Sequence, residues 1–336
     1  MTTGDNRARP TIYDVARHAG VSKSLVSLVL RGEPHVSEPR RRAVQDAIDA
    51  LGYRPSRAAS ALASQRTRSV GVLIDDFHNP WFVELLAGLR SVLDPAGYTV
   101  TVADLQLEAA SGRNPVDGFL AQHADALVLA AEPAPELVRD IPIPVVVAGV
   151  RELGPSALPR ADVVAGDDEH GGELATRHLL DLGHHAIAHI SGRSGPAAHR
   201  RRGYERVMRE SGLEAIVVGS TLETTEAEGY GAAQELLASA PSVTAIVASN
   251  DLMAVGAFAA LRERGLSAPA DVAVVGYDNS PLAGYRYLGL TSVDPHSREI
   301  GAEAARTVLA RLANPEAPPR RALIDPTLVV RASTAE

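Results

Sequence analysis

The chain of 336 residues has no cysteine, one lysine (Lys23) and one tryptophan (Trp81). Without a thiol it forms no disulfide, no thiolate-ligated zinc site and no cysteine nucleophile. No stretch reaches the ~20 apolar residues of a membrane-crossing helix, and the N-terminus lacks the apolar core of a secretory signal. Walker, G-x-S-x-G and H-E-x-x-H patterns are missing as well. Eleven histidines are present, of which His184, His185 and His189 come nearest to a ligand set. A metal would need a carboxylate placed with them in fixed geometry, and a turn followed by a packed strand is the simpler account. No cofactor, no metal and no enzymatic activity is therefore expected, and the expected compartment is the cytoplasm.

The formal net charge of −8, taken alone, argues against a polyanionic partner. The sign is unevenly distributed, however. Residues 1–68 hold 12 Lys and Arg against 6 Asp and Glu, and the remainder hold 21 against 35. A basic end on an acidic body confines phosphate neutralisation to one module. Roughly 270 residues beyond that module exceed one small core and suit a two-lobed α/β body.

Residues 11–32 (TIYDVARHAGVSKSLVSLVLRG) are the most informative stretch. Ile12, Val15, Ala16 and Ala19 fall at helical spacing, with Asp14, Arg17 and His18 facing out. Thr11 and Asp14 stand as the two halves of a capping box. Gly20 permits a turn with positive φ, and Ser22 caps a second helix. There Val26 and Val29 point inward, and Lys23, Ser24, Ser27 and Leu28 are left outside. Such a pair is either a plain helical hairpin or a helix-turn-helix, whose second helix fits the major groove of DNA. Ser37 to Leu51 reads as a third helix, capped by Ser37, with Ala43, Val44, Ala47, Ile48 and Leu51 as its apolar stripe.

From residue 69 short Val/Ile/Ala/Leu runs alternate with helical segments. Strands are predicted at 69–74, 98–103, 126–130, 145–148, 162–165, 186–191, 245–249 and 272–277. Helices are predicted at 80–94, 170–182, 199–211, 228–239 and 252–264. Strand–helix alternation with both sheet faces covered means doubly wound parallel sheets. Ligands of such sheets lie at the carboxyl ends of the strands.

The residues at 11–32, with VS at 36–37 and GYRPSRAASAL at 52–62, resemble the lactose- and galactose-repressor (LacI/GalR) family. Its headpiece reads T-I-x-D-V-A-x-x-A-G-V-S-x-x-T-V-S-x-V-L-N, then V-S, then G-Y-x-P-N-x-x-A-R-x-L. The resemblance implies an all-α helix-turn-helix headpiece (1–55), a hinge helix and linker (56–68) and a periplasmic-binding-protein-like core of two lobes (69–336). It also implies a homodimer on a pseudo-palindromic double-stranded operator. Lys23, Ser24 and Leu28 would read bases; Thr11, Tyr13, Ser22, Ser27 and His35 would hold backbone or flanking positions. Leu28 departs from the arginine common in relatives, which substitutes an apolar contact for a guanine contact. Ser56, Arg57, Ala59 and Leu62 match the hinge, Leu62 as the minor-groove wedge. Ser56 and Ser60 replace the usual Asn and Arg.

In the core the resemblance implies a small-molecule effector. Its expected contacts are Phe77, Trp81, Phe82, Ser194, Arg200, Asn250 and Asp278. Arg201 and Arg202 are expected to face solvent, and Asp251 to cap the helix that follows it. An Asn, an Asp and an Arg beside an indole face suit a hydroxylated ring such as a sugar, with a purine or other metabolite as the alternative. Gly149, Gly166 and Thr224 depart from positions where relatives place ligand-fixing side chains, which predicts a larger pocket or a different ligand. Whether the effector releases DNA or promotes its binding stays open. A solute-binding protein, the other class sharing such a core, would carry a signal peptide in place of the headpiece. The segment DPTLVVRASTAE matches the family's closing R-x-S without a leucine-heptad tail, so a dimer rather than a tetramer is expected.

Overall fold

A computed structural model describes residues 10–30, 33, 35–53, 67–150, 158, 160–221 and 223–334. The hinge positions Ser56, Arg57, Ala59 and Leu62 lie outside the described residues. The chain divides into two compact units, up to Thr67 and from Arg68 onward.

In the first unit α1 (Ile12–His18), α2 (Lys23–Leu30) and α3 (Glu38–Leu51) enclose a small core. The capping box forms: the Thr11 N–H donates to Asp14 Oδ2 at 2.9 Å, and the Asp14 N–H donates to Thr11 Oγ1 at 3.4 Å. Gly20 takes φ +65° in the turn, and Ser22 Oγ accepts from the Leu25 N–H at 3.2 Å. Val15, Val26 and Val44 are fully buried, with Ala16, Val29, Ala47 and Tyr53 around them. Each such valine contributes at most about 1.5–3 kcal/mol, so a unit this small depends on its caps as well. Ser37 departs from expectation: it occupies the N-cap position, but its hydroxyl makes no capping bond, and Pro39 fits the first turn instead.

The second unit holds two six-stranded sheets. Its strands are β1 (Ser69–Ile74), β2 (Thr99–Asp104), β3 (Ala126–Ala130), β4 (Val145–Ala148), β5 (Asp162–Gly166) and β6 (Ile187–Ile190), followed by β7 (Ile216–Val218), β8 (Ala245–Ala248), β9 (Ala273–Tyr277), β10 (Thr291–Asp294), β11 (Arg321–Ile324) and β12 (Thr327–Val329). The N-lobe sheet runs β11-β5-β4-β3-β1-β2 and the C-lobe sheet β12-β10-β9-β8-β6-β7. The chain therefore passes between lobes after Gly166, after Asp294 and between Ile324 and Thr327. All ladders are parallel except β10–β12, which is antiparallel. Val70, Val72 and Ile74 of β1 pack on one face and Leu73 on the other, so both faces of the sheet are covered.

The long helices are α4 (Trp81–Leu93), α7 (Asp168–Asp181), α8 (Gly195–Glu210), α9 (Glu226–Ser239), α10 (Asp251–Glu263) and α11 (Ser297–Ala313); α5 (Leu105–Ala110) and α6 (Pro115–Ala121) are short. Sequence reading did not find β7, β10, β11, β12, α5, α6 or α11. The missed strands are three or four residues long, and β10 buries Thr291 and Ser292 beside a single aliphatic residue, Val293. In α11 the buried face is largely Gly301, Ala302, Ala304 and Ala305, whose low hydrophobic contrast hides the period.

Three helix pairs cross backbone against backbone. Gly88 of α4 meets α11 at Arg298, and Gly301 of α11 meets α4 at Leu85; a Cβ at either would enter the opposing main chain. Gly172 and Gly203 stand in the same relation between α7 and α8, as do Gly229 and Gly256 between α9 and α10. Gly301→Ala is expected to lower stability by about 1–3 kcal/mol, because backbone cannot move aside as a side-chain tip can. Gly231→Ala, on α9 with open space around it, should instead stabilise by roughly 0.5–1 kcal/mol through helix propensity. Urea midpoints at constant m-value check both; equal effects at the two sites would contradict the crossing argument.

Candidate functional site

On the first unit, α2 presents Lys23 and Ser24 outward. Lys23 Nζ lies 3.3 Å from Tyr13 Oη and 4.9 Å from the ring centroid, so the exposed tyrosine of α1 restrains the lysine of α2. Thr11, Ser22 and His35 are exposed, the first two as helix caps. Ser27 is half-buried. Leu28 is corrected in part: it is half-buried and packs against the headpiece core rather than standing free. Arg41 donates to the Glu33 carbonyl at 2.7 Å, while Arg40 and Arg42 remain exposed.

In the second unit a cavity of about 420 Å³ opens between the lobes at the carboxyl ends of both sheets. Trp81, Phe82, Ser194, Arg200, Asn250 and Asp278 all line it. Phe77 does not line it; the residue is half exposed, and its N–H donates to Asp104 Oδ2 at 2.7 Å. Phe82 is only 6 % exposed and serves the N-lobe core, meeting the Trp81 ring edge-on at 5.0 Å and 84°.

Trp81 begins α4, its N–H held by Asn79 Oδ1 at 3.0 Å. The indole lies over Gly149, where any Cβ would strike the six-membered ring. Gly149 also has φ +80°, a conformation that disfavours every other residue. The absence of a side chain at 149 therefore does not enlarge the pocket: the indole fills that space. At Gly166 a Cβ would make only ordinary contact with Pro295, and there the expected extra room exists.

Arg200 on α8 is engaged on every side. Its Nε donates to Asp168 Oδ1 at 2.8 Å and Nη1 to the Ser249 carbonyl at 2.7 Å. Asp278 Oδ1 lies 3.5 Å from Nη2, and the guanidinium sits 3.6 Å from the Tyr277 ring centroid. Burial opposes the guanidinium's charge, but the two carboxylates hold it above its ordinary pKa. Burial likewise drives Asp278 up to about 8 despite Arg200.

Two capping roles differ from expectation. Asn250, not Asp251, caps α10: its Oδ1 accepts from the Met253 N–H at 2.9 Å, and its Nδ2 donates to the Thr224 carbonyl at 3.0 Å. Asp251 is the first helical residue, buried, and accepts from the Ser280 N–H, Ser280 Oγ and Ser292 Oγ at 2.6–2.8 Å. Ser194 Oγ caps α8 through the Ala197 N–H at 3.3 Å. Arg202 is exposed as expected, but Arg201 is half-buried and pairs with Glu205 at 3.5 Å.

Sequence reading missed Asp75, Glu132, Asp168, Arg193 and Glu223, all of which line the cavity. Asp75 follows β1 directly and Glu132 stands two residues past β3, positions that the strand-end rule marks. The Glu132 carboxylate accepts from the Gly195 N–H at 2.8 and 3.1 Å. An N-lobe acid thus holds the N-terminus of a C-lobe helix, the end that favours negative charge. Burial raises both Asp75, to about 6, and Glu132.

The histidines lie elsewhere. His189 is fully buried against Tyr204, and burial together with Arg201 and Arg200 lowers it to about 3. His184 Nδ1 is 3.0 Å from Thr244 Oγ1. Among the described residues no group of three metal-binding side chains converges, and no helix is long and apolar enough to cross a membrane.

Because Trp81 is the sole indole, intrinsic fluorescence reads the cleft directly. Gly149→Ala is expected to displace the ring, red-shift emission and weaken ligand affinity; unchanged emission would contradict the packing. Asp75 carries a pH signature. Its folded pKa of about 6 lies above the ordinary 3.8, so the folded state is fully favoured below roughly pH 4 and penalised as pH rises through 6. The stability gain of Asp75→Asn over wild type should therefore grow from near zero at pH 4 to on the order of 2–3 kcal/mol above pH 7. Urea midpoints across pH test this, and a pH-independent gap would refute it.

The pattern of the bacterial regulatory proteins of the lacI family matches residues 11–56, and that of the periplasmic binding protein-like domain matches residues 176–334. The transcriptional regulator CelR of Thermobifida fusca is 34 % identical, over 98 % of this chain and 99 % of that protein. A CelR–cellobiose complex is similar in structure, with TM-score 0.70 and 32 % identity over 97 % of this chain and all of that one. The lac repressor dimer bound to operator and the anti-inducer ONPF gives TM-score 0.82 at 26 % identity, over 98 % of this chain and all of that one. With a helix-turn-helix unit, two parallel-sheet lobes and full-length kinship of this order, the chain belongs to the LacI family of DNA-binding transcriptional regulators.

Proposed function

We propose that this chain represses transcription as a homodimer on a pseudo-palindromic operator, with its DNA affinity set by a sugar bound between the lobes. The observation that carries the ligand reading is the Trp81 indole nested on Gly149. It presents an aromatic wall to a cavity that is also lined by hydrogen-bonding groups, among them Arg200, Asn250 and Asp278, the combination that a hydroxylated ring requires. The CelR–cellobiose complex supports the same reading.

Residues 1–55 act as the headpiece, 56–68 as the link and 69–336 as the sensor. Lys23 and Ser24 meet base edges, and Leu28 adds apolar contact from a side chain half committed to the headpiece core. Tyr13, Thr11, Ser22, Ser27 and His35 set register on the backbone, and Ser56, Arg57, Ala59 and Leu62 carry the hinge contacts. The protein has no catalytic role and works in the cytoplasm. Effector binding changes the relation of the lobes, a coupling typically worth ~1–3 kcal/mol.

Operator binding should fall steeply with salt, as counterion release demands, and Lys23→Ala should weaken it by about 1–3 kcal/mol. Gel-shift titrations at several salt concentrations test this; a flat salt response would defeat the repressor reading. A thermal-shift screen giving only nucleobase hits would replace the sugar.

A further inference from the structure

Resting on that reading of the cleft, we propose that its ligand is a non-anionic ring compound rich in hydrogen-bond donors. Asp75 and Glu132 are the specificity-determining residues that turn away phosphorylated, sulfated and uronic-acid forms. Two independent observations carry this. The first is the balance of charge: among the described residues seven carboxylates line the cavity against two arginines. The second is that both arginines are already engaged by protein. Arg200 is held by Asp168, the Ser249 carbonyl and Asp278 with Tyr277 beneath it, and its side chain is only 12 % exposed. Arg193, at the rim, donates through Nε to Glu223 at 2.7 Å.

An incoming phosphate or carboxylate that sought Arg200 would have to break its pairing and leave a buried carboxylate uncompensated, which is unfavourable in a site withdrawn from water; the exposed Arg193–Glu223 pair adds a smaller barrier. It would also face the N-lobe wall, where Asp75 and Glu132 repel each other and, among the described residues, no lysine or arginine of that lobe lines the cavity. The hydrogen bond formed by the Asp75 carboxylate is a long one, 3.4 Å from the Glu132 N–H. Ionised carboxylates only accept, so the wall calls for ligand hydroxyls or N–H groups pointing at it. Both oxygens of Glu132 meet the Gly195 N–H, and a Cβ at Gly195 would press on Glu132 Oε1. The N-lobe acid is thereby fixed in place rather than free to swing from an anion.

The test uses the full chain and matched pairs: glucose with glucose 6-phosphate and glucuronate, galactose with galacturonate, ribose with ribose 5-phosphate, cellobiose with cellobionate, and adenine and guanine with their nucleoside monophosphates. Binding is read by calorimetry and by Trp81 fluorescence, which reports entry into this cleft. At least one neutral compound should bind about tenfold or more tightly than its anionic partner. Combining Asp75→Asn with Glu132→Gln, which keeps one acceptor oxygen at each position and removes both charges, should shrink that gap. An anion binding as tightly as its neutral partner overturns the proposal, as does an unchanged gap in either single variant and the pair, or no binder in any class. Neutral nucleobases binding over their monophosphates would uphold charge exclusion while discarding the sugar reading, so the two failures are distinct.

Discussion

Close approach of helix backbones is the constraint from which the rest of the sensor follows. Glycine on both members of each pair lets α4 meet α11, α7 meet α8, and α9 meet α10 at main-chain contact. Dispersion between atoms in such contact is individually tiny and collectively large, and no side chain can reproduce that spacing. The α7–α8 crossing is the one that carries the cleft arginine. Gly172 packs on the backbone of Arg200 itself, and Asp168, at the start of the same α7, receives the Arg200 Nε. The position of the arginine is therefore inherited from a glycine packed against its own carbonyl.

The cleft shows how a protein keeps charge where water is scarce. A buried ion pair is seldom a source of stability, since desolvation offsets attraction. Arg200 is retained by a set of partners that satisfies each side of the guanidinium, including the face, which lies on Tyr277. The acids opposite are less well served, and burial raises Asp75, Glu132 and Asp278 accordingly. Such unfavourable placement is common where binding, rather than folding, sets the requirement.

Much of this architecture was legible in the chain because it is local. The Thr11–Asp14 box, the Gly20 turn and the runs that became β1, β3 and β4 follow from spacing that neighbours enforce. Trp81 was legible because it is unique and stands at a strand-to-helix junction. What escaped depends on residues far apart in sequence. That Asn250 caps a helix, leaving Asp251 to hold Ser280 and Ser292, turns on a strand 40 residues away in outline only once β10 is placed. Glu132 reads as one more loop acid until Gly195 of the other lobe is brought to it. Leu28 belongs to an outward face by helical period, yet it is partly buried against the headpiece core.

The nesting of Trp81 on Gly149 has a consequence for how this sensor can change over evolutionary time. Two residues separated by most of the N-lobe occupy one volume, so neither can be altered alone. A larger residue at 149 collides with the indole, and a smaller residue at 81 opens a void over a backbone that other residues adopt with strain. Drift toward a new ligand must then pass through paired replacement, and descendants of this chain should carry the two positions as a linked unit.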